Sequence, residues 1–247
     1  QLRRDILSTF RLEHAVPHTL ARPLVIAIAL MLATPTFADV VTITAADGTM
    51  TTQQTLGGDD TLVIETGGTL TVGGGLEAIT ATGSDNTITN SGTINGRYGI
   101  YLDTTATNAT ITNSGTIDAG DDGILSNGAN AIITNSGIIG GDNGILSYGI
   151  NTIITNSGTI TNTGSSGIES YGANAIITNS GIITGDGAKS DGIFSNSANA
   201  TITNSGTING RYGMYSNGIN AIITNSGTIN GRRYGIFSIG ADTTITN

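Results

Sequence analysis

Cysteine is absent from the 247 residues, which excludes a disulfide framework and a thiolate-bound metal. Tryptophan is absent too, aromatics make up 4% and charged residues 11%. An ordinary globular core of this length needs more large apolar groups than that, and a disordered chain carries more charge. Histidine occurs only as His14 and His18, so residues 39–247 contain none, and their only lysine is Lys189. Ser-His-Asp and Cys-His triads and histidine-bound metals are thereby excluded from that stretch. Positive charge is scarce. Of 9 Lys and Arg, Arg3, Arg4, Arg11 and Arg22 lie in residues 1–38, leaving 5 against 16 Asp and Glu, about −11. Without basic clusters to displace counterions from a phosphate backbone, nucleic acid is not expected as a partner.

The chain does contain glycine, 37 residues of it, with threonine, isoleucine and asparagine in short runs. Residues 1–38 read differently. A basic start is followed by the apolar run Leu24–Ala33 and by TPTFA, with small Thr36 and Ala38 where a signal peptidase prefers them. Ten apolar residues are too few to span a bilayer as a helix. Residues 1–38 are therefore expected to be a signal peptide with an extended n-region.

From there a phrase recurs. TNSGTI stands at Thr89–Ile94 and Thr112–Ile117, and close versions place its asparagine at Asn90, Asn113, Asn135, Asn156, Asn179, Asn204, Asn225 and Asn247, in steps of 23, 22, 21, 23, 25, 21 and 22. A sustained period near 22 with two-residue alternation inside each unit indicates a β-solenoid. In one unit, Ala131, Ile133 and Asn135 point inward and Ile132 and Thr134 outward; Ser136-Gly137 turns the chain. Ile138 then points out and Ile139 in, and Gly140–Gly144 makes a second corner. Ile145 and Ser147 point in with Leu146 between them, and Tyr148–Asn151 makes the third. The expectation is an all-β, three-sided, right-handed parallel β-helix with coils about 4.8 Å apart. Residues 39–65 are expected as its N-terminal cap and residues 66–247 as repeats. ETGGTL, Glu65–Leu70, reads as a degenerate copy with Thr66 in the asparagine place. The Asn column should form an amide ladder, with the following serine and glycine supplying a small corner of positive φ.

Candidate chemistry is thin. No G-x-S-x-G elbow is present, and GDGAKS, Gly185–Ser190, lacks the glycine directly before lysine that a phosphate loop needs. Asp118, Asp121, Asp122, Asp142, Asp186 and Asp191 read as solvated acids at Gly-rich corners, with weak calcium binding and carboxylate catalysis as the alternatives. No cofactor or metal is expected. The aromatics are more informative, because all nine after residue 38 fall in the third strand or its flanking corners. Tyr101, Phe194, Tyr215 and Phe237 share one outward position, and Tyr98, Tyr212 and Tyr234 share the corner before it. Such an exposed stripe marks a candidate binding surface.

A leader followed by Gly/Asn/Thr-rich coils with recurring ITNSGTI resembles the passenger region of bacterial autotransporters and related β-helical surface adhesins. The resemblance covers roughly residues 24–247. It implies export to the surface of a Gram-negative cell or beyond, delivery through an outer-membrane translocator barrel lying C-terminal to this fragment, and a non-enzymatic adhesive or structural stalk. The partner implied is a host-cell or bacterial surface protein or glycan. The alternatives are a β-helical polysaccharide lyase or hydrolase and an ice-binding β-helix. For the latter, Thr87-Ile88-Thr89 and its equivalents at Thr110, Thr201 and Thr244 set T-x-T on one face, although Ile132 and Ile222 interrupt it.

Overall fold

The computed structural model describes residues 38–247; apart from Ala38, the expected leader lies outside them. The described chain is a parallel β-solenoid of about nine turns, with one short 3-10 turn at Ala45–Asp47. Each coil contributes three strands, and each strand pairs only with its equivalents one coil above and below. On the first face Thr110–Asn113 pairs in register with Thr87–Asn90 and with Ile132–Asn135. On the second, Thr116–Ala119 pairs with Thr93–Gly96. On the third, Asp122–Ser126 pairs with Ile100–Leu102 and with Asn143–Ser147.

This register follows from alternation. Residues at even spacing turn their β-branched side chains inward onto copies of themselves, and a slip of one residue would expose every one of them. Ile94, Ile117, Ile139, Ile160, Ile183 and Ile208 form one such column, each with no exposed surface. Their equivalent Ile229 is packed against the core but only partly covered. The inward Asn column is buried from Asn90 to Asn204 and forms a one-way ladder. Each Nδ2 donates to the Oδ1 of the next coil at 2.7–2.8 Å, from Asn90 to Asn113 and onward to Asn225 and Asn247. The same amides also donate to the carbonyl two residues on, as Asn135 does to Gly137 at 3.2 Å.

Four details differ from the sequence reading. The glycine of the phrase does not adopt positive φ: Gly92, Gly115, Gly137, Gly158, Gly181, Gly206 and Gly227 are absent from the positive-φ residues. What requires glycine there is close approach, since a Cβ on Gly137 would sit on the carbonyl oxygen of Gly115 in the coil below, and one on Gly158 on that of Gly137. Positive φ belongs instead to the corner residue five places before the ladder asparagine. Asp85, Asn108, Asn130, Asn151, Asn174, Asn199, Asn220 and Asp242 have φ of 55–63°. Asn and Asp tolerate this conformation better than other residues with a side chain.

Thr66 does not occupy the Asn place; Ile64 does, paired with Asn90. The corner Glu65–Gly68 is longer than its successors and turns at Gly67, where φ is +84°. The ladder of strands also extends further back than the repeated letters. Val40–Ile43 pairs with Thr61–Ile64, and Gln54–Leu56 with Ile79–Ala81. Finally, in the last two full coils the second corner is drawn out, so that second and third strands run together as Thr207–Ser216 and Thr228–Ser238.

Candidate functional site

The third face carries the aromatics because its outward position is held in strict register. Tyr101 pairs with Leu125, Leu125 with Leu146, Leu146 with Glu169, Glu169 with Phe194, Phe194 with Tyr215, and Tyr215 with Phe237. The structure divides the seven sequence-chosen aromatics into two groups. Tyr98 and Tyr101 form an isolated pair with centroids 6.0 Å apart. Leu125 and Leu146 then interrupt the column.

The other five, Phe194, Tyr212, Tyr215, Tyr234 and Phe237, belong to a continuous ribbon that is longer than the sequence alone suggests. It begins at Tyr148 and Tyr171 on the corner after the third strand, stacked at 5.0 Å, and passes to Phe194 at 5.7 Å and Tyr215 at 5.1 Å. It then crosses to Phe237 and to Tyr212 and Tyr234 on the corner before the strand. The ribbon therefore runs diagonally over the face. Glu169, the one charge in the outward column, is bypassed. Its carboxylate accepts from the Tyr171 hydroxyl at 3.2 Å and from Ser165 and Ser166 at 2.6 and 3.1 Å. Burial, followed by the neighbouring Glu169 charge, pushes the Tyr171 phenol up to about 12.

Exposure along the ribbon is uneven. Tyr148 and Tyr234 are 51% and 47% exposed, and Phe194, Tyr215 and Phe237 are half-buried. Tyr212, expected on the exposed stripe, is only 7% exposed. The reason is local: Tyr234 and Phe237 stack over it at 5.7 and 5.1 Å, with interplanar angles of 9° and 16°. Tyr212, Tyr234 and Phe237 are thus three nearly parallel rings, whereas Phe194–Tyr215 meet edge-on at 72°.

Arginines border the ribbon. Arg211 lies 4.4 Å from the Tyr212 ring centre, and Arg233 lies 5.8 and 5.6 Å from Tyr212 and Tyr234, within cation–π range. Arg211 is already engaged by Asp191, whose carboxylate accepts from Arg211 Nε at 3.2 Å and from the Tyr212 backbone N–H at 3.2 Å. Arg232, the extra residue of GRRYG, reaches back two coils to the carbonyls of Gly185, Asp186 and Gly187 and so holds the GDGAKS loop.

Two of the corner aspartates, Asp191 and Asp121, have basic partners that sequence spacing conceals. Arg97 pairs with Asp121 across one coil at 2.7 Å, both side chains half exposed. Asp122 beside it is buried and accepts from Asn143 Nδ2 at 2.9 Å; burial raises its carboxyl above the ordinary range. Among the described residues no group of three or more acidic, His or Cys side chains is placed to hold a metal ion.

A second amide ladder, also unread in the sequence, lines the positive-φ corner. Asn108 donates to Asp85, and Asn130, Asn151, Asn174, Asn199 and Asn220 each donate to the preceding coil at 2.9–3.1 Å. Its direction is opposite to that of the inner ladder. Its signal is present in the letters: Asp85 through Asp242 repeat with the same seven steps as the buried column. No family model, no curated protein and no solved structure matches the chain.

Proposed function

We propose that this solenoid is a surface-exposed, non-enzymatic passenger region of autotransporter type, acting as an adhesive stalk on the outside of a Gram-negative cell. The fold is compatible with a passenger or adhesin-like domain. The observation that carries the adhesive reading is the aromatic ribbon from Tyr148 to Phe237. The interior is filled mainly by Ile, Leu, Ala, Ser and Asn, and apart from the covered Tyr212 the rings of the ribbon lie outside it. Aromatic rings do supply contact area at low entropy cost. Repetition along the rod multiplies weak single contacts. The partner is a protein or glycan of a host or sister-cell surface, and export through an outer-membrane barrel belongs to the same reading.

Replacing Phe194, Tyr215 and Phe237 together with Ser is expected to leave circular dichroism and expression near those of the parent and to lower adhesion of displaying cells severalfold. Undiminished adhesion would assign the ribbon to packing alone. A second reading, ice binding, is favoured by one observation. The outward column Thr89, Thr112, Thr134, Thr155, Thr178, Thr203, Thr224 and Thr246 is unbroken threonine in register. Its neighbouring column is mixed, with Ile132, Ile153, Ile176 and Ile222 among threonines. Measurable thermal hysteresis would favour that reading over adhesion.

A further inference from the structure

We infer that the parallel-ring end of the ribbon, Tyr212, Tyr234 and Phe237 with Arg233, is a site for an acidic glycan. This rests on the adhesive reading above and names its ligand class. The first support is charge. Among the described residues there are five cations, and four of them, Lys189, Arg211, Arg232 and Arg233, fall in the last coils, where the corner they share carries only Asp186 and Asp191. The rest of the chain is strongly acidic, so this is a local reversal of sign.

Arg211 is neutralised by Asp191, but no carboxylate pairs with Arg232 or Arg233 among the described residues. Arg232 is spent on backbone carbonyls, which bind its protons without cancelling its charge. Arg233 has only the faces of Tyr212 and Tyr234 beside it, at 5.8 and 5.6 Å. A guanidinium held over rings keeps its fork available for a carboxylate or sulfate.

The second support is geometry. Tyr234 and Phe237 lie within 16° of each other, and both lie within 16° of Tyr212 beneath them. Three rings so aligned form a stack in which Tyr212 is covered and Tyr234 is exposed, and the exposed aromatic surface suits the C–H face of a sugar ring. Mid-ribbon, Phe194–Tyr215 and Tyr212–Tyr215 meet edge-on; Tyr148 and Tyr171 also stack, at 13°, but among the described residues no arginine lies over either ring.

An acidic peptide is the rival occupant. Thr228–Ser238, which bears Arg233, Tyr234 and Phe237, pairs on one side only, with Thr207–Ser216, but a strand added there would use the backbone edge rather than the rings. The rings and Arg233 together favour a pyranose bearing an anionic group. That group is either a carboxylate, as in a polyuronate, or a sulfate, as in a glycosaminoglycan.

Calorimetric titration of the full 247-residue chain separates these sources. The probes are an oligogalacturonate, a heparin hexasaccharide, neutral cellohexaose and a poly-glutamate peptide. At least one acidic sugar is expected to bind at least about tenfold more tightly than cellohexaose and poly-glutamate, with affinity falling as salt rises. The tighter of the two acidic arms identifies the anionic group. Arg233→Gln and Tyr234→Ser, both at surface positions, are each expected to weaken that binding about tenfold or more with unchanged circular dichroism, and Ile132→Ser, at an exposed position of the first face, to leave it unchanged. The inference is overturned if neither acidic sugar binds, if cellohexaose or poly-glutamate binds equally well, or if Arg233→Gln binds as the parent does. Should acidic sugars fail to bind while the Phe194/Tyr215/Phe237 variant still loses cell adhesion, this inference falls and the adhesive reading stands.

Discussion

Replacing Asn135 with Asp changes one heavy atom in the buried ladder and reverses what that atom can do. In the native coil, Asn135 Nδ2 donates to Asn156 Oδ1 at 2.7 Å, Gly137 O at 3.2 Å and Thr159 O at 3.3 Å, while its Oδ1 accepts from Asn113 at 2.7 Å. A carboxylate keeps the bond from Asn113 and turns its second oxygen toward three acceptors. The shape is conserved, so no cavity contributes. What remains is a buried charge with one donor and no counter-ion, a loss of about 3–5 kcal/mol. At about 2–4 °C per kcal/mol for a chain of this size, the melting midpoint at neutral pH should fall by roughly 6–20 °C.

Asn135→Ala removes the amide outright. Asn113 retains Gly115 O and Ile138 O as acceptors, and only Asn156 Oδ1 is orphaned, so the loss is nearer to about 1–3 kcal/mol. The two variants also differ in their response to acid. Burial raises the folded-state pKa of the carboxyl introduced at position 135 above its unfolded value near 3.9. Its penalty is therefore full above the raised pKa and fades as pH falls toward the unfolded value, where the protonated acid can donate to Asn156. The assay is thermal denaturation followed by circular dichroism for the parent and both variants across pH. An Asn135→Asp variant as stable as the parent at neutral pH, or more stable than Asn135→Ala, would refute the one-way ladder.

Three further outcomes follow from the same geometry. Asn151→Gly should be nearly neutral, because it keeps the φ of 57° and loses only exposed bonds, whereas Asn151→Val should cost about 1 kcal/mol or more in the same melt for a β-branched residue in the left-handed region. Gly158→Ala should destabilise although its φ suits alanine, since the added methyl meets Gly137 O and the backbone of Ser136; a neutral melting midpoint would remove close approach as the reason for glycine. Asp122→Asn should raise the midpoint at neutral pH. The Asp122 carboxyl is raised by burial, so its charge penalises folding above its raised pKa, and parent and variant should converge as pH falls through that value toward 3.8.

The period, the inward Ile and Asn columns and the outward placement of Phe194, Tyr215 and Phe237 can be read from letters because each depends on alternation within a strand, a local property. The features that escape depend on what lies one coil away. Gly137 and a turn glycine are the same letter, and only the Gly115 carbonyl beneath it shows which is meant. Arg97 and Asp121, and Arg211 and Asp191, are partners about one period apart, so a search for adjacent charges passes over them. The letters put Tyr212 in the correct corner but on the wrong side of exposure, because its cover comes from Tyr234 and Phe237 of the following coil. They also sort the rings into separate columns, yet Tyr148 and Tyr171 join Phe194 in one ribbon by stepping sideways between corners.

The two amide ladders have a consequence for length. Seven inner links point their N–H bonds toward the C-terminal end, and six surface links point theirs toward the N-terminal end. Either ladder alone would be a line of aligned dipoles whose end potentials build up as units line up head to tail, as along a helix. Opposed, they largely cancel in every coil, and the sheets add little of their own. Adding a coil thus adds burial without adding an electric field along the axis. The surface ladder begins at Asp85, which can accept but not donate, and at Asp242 the same chemistry offers no proton to carry it on. A stack wired in this way is directional to an incoming coil, which must accept inside and donate outside, yet electrically quiet to everything beyond its ends.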